Sequence, residues 1–243
     1  MLGIVAALPA EARSLTGQRV PPGQAIRLGG ATLLYVSGMG QARAHNAADQ
    51  LLGQGAQALV SWGTAGALER TFTAGTLILP TTVTDLTRTF YIDPAWHRRI
   101  RGVLKDRLPV RAGTLIQSTE IVTKPEQKAE LFTRTGAVAL DMESAAIGEV
   151  AAQAGVPFLV VRGIADCQST PIPRCAVQAI DEYGKMSLAD LWSVLRHEPP
   201  QALGSLLRLA WNFRAALLTL RTVTRLIGPG FCYSGTIKDK ITV

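Results

Sequence analysis

The stretch "AVALDMESAAIGEVAAQAGVPFLVVRGIAD", residues 137–166, decides the fold. Its first apolar run, "VAL", is a short buried strand that ends in Asp141. "MESAAIGEVAAQAG" follows with helix-forming residues and a glycine, Gly155, where a helix would stop. "VPFLVVRGIAD" is then apolar almost without interruption, the pattern of a strand covered on both faces of a mixed or parallel sheet. Strand, helix and strand in succession predict an α/β sandwich. The handover from "VAL" to the helix carries two acids, Asp141 and Glu143. Acids there can cap the helix and meet its positive end. They can equally hold a ligand that carries hydroxyl groups, and local sequence favours neither reading.

The same alternation extends outward from this core. "LGIVAAL" opens the chain as a buried strand, and "AIRLGGATLLYVSG" reads as a hairpin with Gly29 and Gly30 in a two-residue loop. "QARAHNAADQLLGQG" is an Ala-rich helix closed by glycines. "AQALVSWG", "AGTLILPTTVTD" and "RAGTLIQST" are further strands, and "PEQKAELFTRTG" is a helix. The segment "RCAVQAIDEYGKMSLADLWSVLRH" reads as helical with a break at Gly184. In such sheets ligands gather at the carboxyl ends of the strands. Gly38, Gly63, Thr119, Asp141 and Asp166 are all expected at or just past a strand end.

Composition is that of a globular protein, 47% hydrophobic and 18% charged over 243 residues, enough for one large α/β domain. Three cysteines without C-x-x-C spacing fit neither a disulfide framework nor a zinc knuckle. His45, His97 and His197 show no ligand spacing, so no metal is expected. The apolar N-terminus lacks a basic flank and reads as a first strand, not a signal peptide. The net charge of +7 is uneven: from Leu191 onward seven Lys and Arg stand against two acids, leaving +2 on the first 190 residues. A nearly neutral body without a basic, aromatic-rich face argues against nucleic acid as partner.

The tail differs from the body. "PPQALGSLLRLAWNFRAALLTLRTVTRLI", residues 199–227, predicts one long helix with Arg214, Arg221 and Arg225 on a shared face. It fits a helix packed on the domain or on a second subunit, or one lying on a membrane surface. The last residues, "GPGFCYSGTIKDKITV", read as a loose terminus.

Four motifs bear chemistry. Glu11 in "GIVAALPAEA" is by itself a solvated acid at a helix start. Gly38 and Gly40 around Met39 in "SGMG" would let backbone amides approach a ligand. "SWGTAGAL" reads as a glycine-containing turn after a strand, and Asp166 closes "VVRGIAD". Asp166 either caps the next turn or, desolvated at the strand end, serves as a proton donor.

As an ordered set, "GIVAALPAEA", "SGMG", "SWGTAGAL", "ALDMESAAI" and "VVRGIAD" resemble the motifs of the nucleoside phosphorylase and nucleosidase superfamily, over roughly residues 1–195. They are most similar to the methylthioadenosine/S-adenosylhomocysteine nucleosidases. The basic tail, residues 196–243, is foreign to those and looks like that of the hopanoid-associated phosphorylases, for which adenine removal from adenosylhopane has been proposed. The resemblance implies a three-layer α/β/α sandwich around a mixed, partly barrel-like sheet, followed by a helical extension. It implies cleavage of a purine nucleoside by water or inorganic phosphate without a cofactor, in a cytoplasmic homodimer or larger assembly. A tail that docks would place the enzyme at the inner face of the membrane, on a lipid-linked substrate.

Carried over residue by residue, Glu143 would accept hydrogen bonds from the ribose hydroxyls and Met142 would pack against the sugar. Asp166 would protonate purine N7, and Glu11 would activate water at the anomeric carbon. Ile121 and Val122 would read the purine edge through their backbone, Met39 would face the 5′ substituent, and Thr64 would stand near the nucleophile. The transition state would resemble an oxocarbenium ion, as in glycoside hydrolysis. Three departures stand out. Ala165 replaces the serine that often holds the acid, Ile121 replaces a stacking phenylalanine, and both phosphate-binding arginines of the phosphorylase branch are missing. The retained Glu11 and the missing arginines favour water as nucleophile, with Arg43 as a residual phosphate contact. The alternatives are phosphorolysis of the same bond, and a non-catalytic nucleoside-binding or membrane-docking module.

Overall fold

The structure, a computed structural model, describes residues 1–173, 176–177, 180–185 and 200–233. Its framework is an eleven-stranded mixed sheet flanked by helices. Strand β4 (Ala58–Ala67) is its axis. The first half of β4 pairs in parallel with β1 (Leu2–Ala6) on one edge and β11 (Phe158–Asp166) on the other. β1 stops at Ala6, opposite Trp62, and β10 (Ala139–Asp141) takes up the same edge only at Gly66. A gap in the ladder therefore opens between Gly63 and Gly66. Divergence of neighbouring strands makes a crevice, and open α/β sheets bind ligands there.

The remaining strands extend this frame. β2 (Ala25–Arg27) and β3 (Thr32–Val36) lie outside β1, and β9 (Thr114–Gln117), β6 (Thr82–Thr84) and β7 (Thr89–Tyr91) lie outside β10. β5 (Leu77–Ile78) joins β11 to β8 (Val110–Arg111). The loop between β2 and β3 has four residues, 28–31, where two were expected, because Leu28 N already donates to Thr32 O and both glycines take positive φ. "AGTLILPTTVTD" splits into β5 and β6, with Pro80, which has no N–H to add to a ladder, between them.

Alternation along β4 sorts the helices onto two faces. Ser61 Oγ lies 3.0 Å from Ser144 Oγ on α5 (Ser144–Ala154), and α5 packs on α2 (Gln41–Gly53). The next residue, Trp62, points the other way and donates to Ser14 on α1 (Pro9–Thr16) at 3.0 Å. α1, α3 (Pro94–Leu104) and α6 (Pro200–Ile227) form this second layer. α4 (Pro125–Thr135) sits beside β9 and β10, through Leu131 and Phe132.

The predicted long tail helix is α6. It sets Ala216, Leu220, Val223 and Ile227 into the core, chiefly against β11. Burying each larger one is worth about 1.5–3 kcal/mol. Just beyond it, Phe231 is fully buried and meets Trp62 edge-on at 5.3 Å, so residues 228–233 are docked where a loose terminus was expected. The outward face of α6 carries Arg214, Arg221 and Arg225, with Leu207, Trp211 and Leu218 exposed among them. Most of the helix expected over 174–197 lies outside the described residues. Its described part at 181–185 is a tight turn with Gly184 at φ +68°, closed by Gly184 N to Asp181 O.

Candidate active site

Glu11 reaches the crevice because β1 ends and the chain turns straight into α1. Pro9 starts that helix with its preset φ. Glu11, two residues on, folds back so that Oε2 accepts from Leu8 N at 3.0 Å. Oε1 accepts from Thr64 N at 2.7 Å and Thr64 Oγ1 at 2.9 Å. The acid does cap its helix, but it is not solvated, being 3% exposed. Burial raises its pKa, against the opposing pull of Arg162 and the Thr64 and Leu8 hydrogen bonds. The strand beneath must be glycine: a Cβ on Gly63 would lie 2.7 Å from Oε1. "SWGTAGAL" is therefore not a turn but the middle of β4, whose glycines make room for carboxylates.

Asp141, at the end of β10, caps α5 by accepting from Ser144 N at 3.1 Å and from Ser144 Oγ. Capping is only part of its role. Arg162, 2% exposed on β11, donates Nε to Asp141 Oδ2 at 2.7 Å and Nη2 to Ser61 and Ser144 Oγ at 2.6 and 2.9 Å. Glu143 is the N-cap of α5, yet its carboxylate leaves the helix. Oε1 accepts from Gly40 N at 2.8 Å. Burial, with Asp141 close by, pushes its pKa up to about 7, while Arg162 pulls the other way and Glu11 adds to the rise. Asp141 thus binds the guanidinium directly, and Glu143 and Glu11 feel its charge.

Asp166 closes β11 three positions further along β4, over Gly66, where a Cβ would lie 3.0 Å from both carboxylate oxygens. It was expected to act as an acid desolvated by apolar surroundings. Instead it forms an ion pair with Lys128 of α4, a lysine with no exposed surface. Lys128 Nζ also donates to Cys167 O at 3.2 Å.

The structure draws some of the remaining sequence candidates to these acids. Thr64 binds Glu11 directly. Met39 is held beside Glu143 by Gly38 and Gly40, at φ +83° and +100°. The amides of that loop are not open to a ligand: Gly40 N serves Glu143, and Met39 N donates to Glu182 O at 2.8 Å. Met142 precedes Glu143, half-buried. Ile121 and Val122 stand apart on the segment between β9 and α4, where Val122 packs with Leu68 and Leu140. Arg162, Ser61, Ser144 and Lys128 had no role assigned from sequence. Arg162 was legible as a lone charge in a strand buried on both faces. Lys128 was not, since nothing in "PEQKAELF" marks it from surface lysines. No group of three or more His, Cys, Asp and Glu able to hold a metal occurs among the described residues.

A mixed sheet whose central strand carries buried carboxylates over its glycines is the candidate site. The chain belongs to the phosphorylase superfamily, whose family model matches residues 2–183. It is an enzyme of that superfamily. No curated protein matches it in sequence. Solved structures share its fold at low identity. The 5′-methylthioadenosine/S-adenosylhomocysteine nucleosidase of Neisseria meningitidis, in complex with methylthio-immucillin-A, is 17% identical with a TM-score of 0.69, covering 93% of this chain and 98% of that one. Futalosine hydrolase of Helicobacter pylori is 15% identical with a TM-score of 0.68, covering 93% and 96%. The S-adenosylhomocysteine nucleosidase of Streptococcus pyogenes, with 5-methylthiotubericidin, is 22% identical with a TM-score of 0.60, covering 82% and 97%. Coverage of 93% exceeds what residues 1–195 could supply, so the shared fold runs into the tail.

Proposed function

We propose that this enzyme releases adenine from an adenosine bearing a bulky apolar 5′ substituent, by hydrolysis of the N-glycosidic bond. The observation that carries the reading is the pairing of buried Glu11 and Glu143 near Arg162 at one end of the crevice, with Asp166 over Gly66 beyond them. In this reading Glu143 accepts the ribose hydroxyls and Met142 packs on the sugar. Glu11, seated on Thr64, takes the proton of the attacking water. Asp166 delivers a proton to N7, so that the base leaves neutral. Excess negative charge at the sugar end favours the oxocarbenium-like transition state. Ile121 and Val122 contact the purine, and Met39 meets the 5′ group. The solved relatives named above as nucleosidases and as futalosine hydrolase support cleavage of this bond.

Adenosylhopane is the proposed substrate, on the resemblance of the motifs and the basic tail. The outward face of α6 supports a lipid-linked substrate: Trp211 is 71% exposed, next to Arg214, and no Asp or Glu occurs in the helix. Such a face suits the headgroup region of an anionic membrane. Among the described residues no helix is long and apolar enough to cross a membrane. The assembly is proposed to be a homodimer or larger.

Adenine release from adenosylhopane, methylthioadenosine and adenosine, each with and without phosphate, tests the reading. Release independent of phosphate is expected, fastest with adenosylhopane. Strict phosphate dependence would turn the assignment to phosphorolysis, which Arg43, beside Met39, would then serve. Co-sedimentation with anionic liposomes tests the α6 face: Trp211→Asp is expected to abolish it.

A further inference from the structure

Asp166 is held by one oxygen only. Oδ2 meets the Lys128 ammonium, while Oδ1, beside Gly66, has no hydrogen-bond partner among the described residues. Lys128 itself is wholly buried, and its described acceptors are Asp166 Oδ2 and Cys167 O. Burying a lysine is costly, and an ion pair seldom repays that cost in stability alone. Asp166, by contrast, keeps 14% of its side chain exposed. The arrangement is a fixed cation on one oxygen of a carboxylate whose other oxygen has no hydrogen-bond partner among the described residues.

Resting on the reading above, we propose that Lys128 is the positioning residue for Asp166 and the source of the proton that Asp166 passes to the leaving purine. When the C1′–N9 bond breaks, its electron pair stays with the base. N7 takes a proton that the Lys128 ammonium supplies through the Asp166 carboxylate, so that Lys128 is left as a neutral amine and Asp166 ends as the carboxylate it began as. Water adds its oxygen to C1′ and gives a proton to Glu11. Exchange with solvent returns a proton to Lys128 and removes one from Glu11, so the net reaction is nucleoside plus water to free base plus sugar. Lys128 also fixes α4, and with it the end of the Ile121–Val122 segment, to the end of β11.

The test is adenine release from methylthioadenosine by the full chain, wild type against Lys128→Met, Lys128→Arg and Lys128→Ala, with melting temperatures as a control for folding. Lys128→Met removes the charge at similar length. It is expected to lower kcat by about 10²-fold, as loss of general-acid help implies, with KM changed less than about threefold. Lys128→Arg is expected to retain more turnover than Lys128→Met. Added ethylamine is expected to restore turnover to folded Lys128→Ala, and only at pH values where the amine is charged. Wild-type kcat in folded Lys128→Met, a loss confined to KM, or no rescue of a folded Lys128→Ala overturns the proposal. If Lys128→Met does not fold, the arginine variant and the amine rescue decide. A wild-type enzyme that releases adenine from none of adenosylhopane, methylthioadenosine and adenosine refutes the proposed function itself, and this inference falls with it.

Discussion

The two ends of the crevice use buried charge differently. Around Arg162 one cation serves three acids, Asp141, Glu143 and Glu11. At Gly66 one cation serves one acid, Lys128 with Asp166. The first end is therefore short of positive charge, and both free carboxyl groups there have raised pKa values, with burial as the leading cause. The second end is balanced. Counting charges is the basis for the opposite protonation roles proposed above, a base and a cation-stabilising surface at the first end and a proton relay at the second.

The largest effects should come from removing either role. Glu11→Gln and Asp166→Asn are each expected to lower adenine release by about 10²-fold or more, measured at saturating nucleoside. Equal activity in either variant would break the division. Arg162→Met comes next. It leaves Asp141 buried without its partner and should destabilise the fold by about 3–5 kcal/mol in urea unfolding. Removing the cation should also raise the Glu143 pKa further.

Smaller effects probe the packing and the titration. Gly63→Ala must displace the Glu11 carboxylate, and Gly66→Ala crowds Asp166 less severely, with contacts of 2.7 against 3.0 Å. Gly63→Ala should cost about 1–3 kcal/mol and Gly66→Ala less, with turnover falling in the same order. Glu143 has the mildest signature. Its folded pKa, about 7, lies above its ordinary value of 4.5. Folded protein thus binds an extra proton between these values, so this group's contribution to stability is greatest below pH 4.5 and is lost as pH rises through 7. Glu143→Gln should flatten that dependence in melting curves from pH 5 to 8. In the wild type, kcat/KM should fall below about pH 7 as the carboxylate proposed to hold the ribose is protonated.

Much of the scaffold could be read from sequence, because apolar periodicity reports burial directly. The run read as a strand from Val156 forms β11 over Phe158–Asp166, residues 144–154 are a helix, and residues 200–227 are one helix. α3 was equally legible but passed over, with Asp93 as cap, Pro94 after it, and Trp96, Ile100 and Leu104 on one face. The same local logic failed at β4. Glycines after a strand usually mark a turn, yet Gly63 and Gly66 stay in the ladder. The reason for them lies in Glu11 and Asp166, far away in the chain.

By itself the sequence determined the α/β class, the helical tail and the set of acids at strand ends, since each depends on neighbours within a few residues. Only the tertiary structure decided what those acids are. Glu11 lies at Gly63 because β1 leaves β4 there before β10 joins it, and Asp166 lies at Gly66 because β11 follows the other edge of β4 that far. Asp141 and Glu143, two residues apart, part company because Arg162 binds the first while Gly40 turns the second toward the crevice. Lys128 could be known only this way. Its meaning lies in a contact across 38 residues of chain, and burial, which sets the energy of a charge, is a property of the packed molecule.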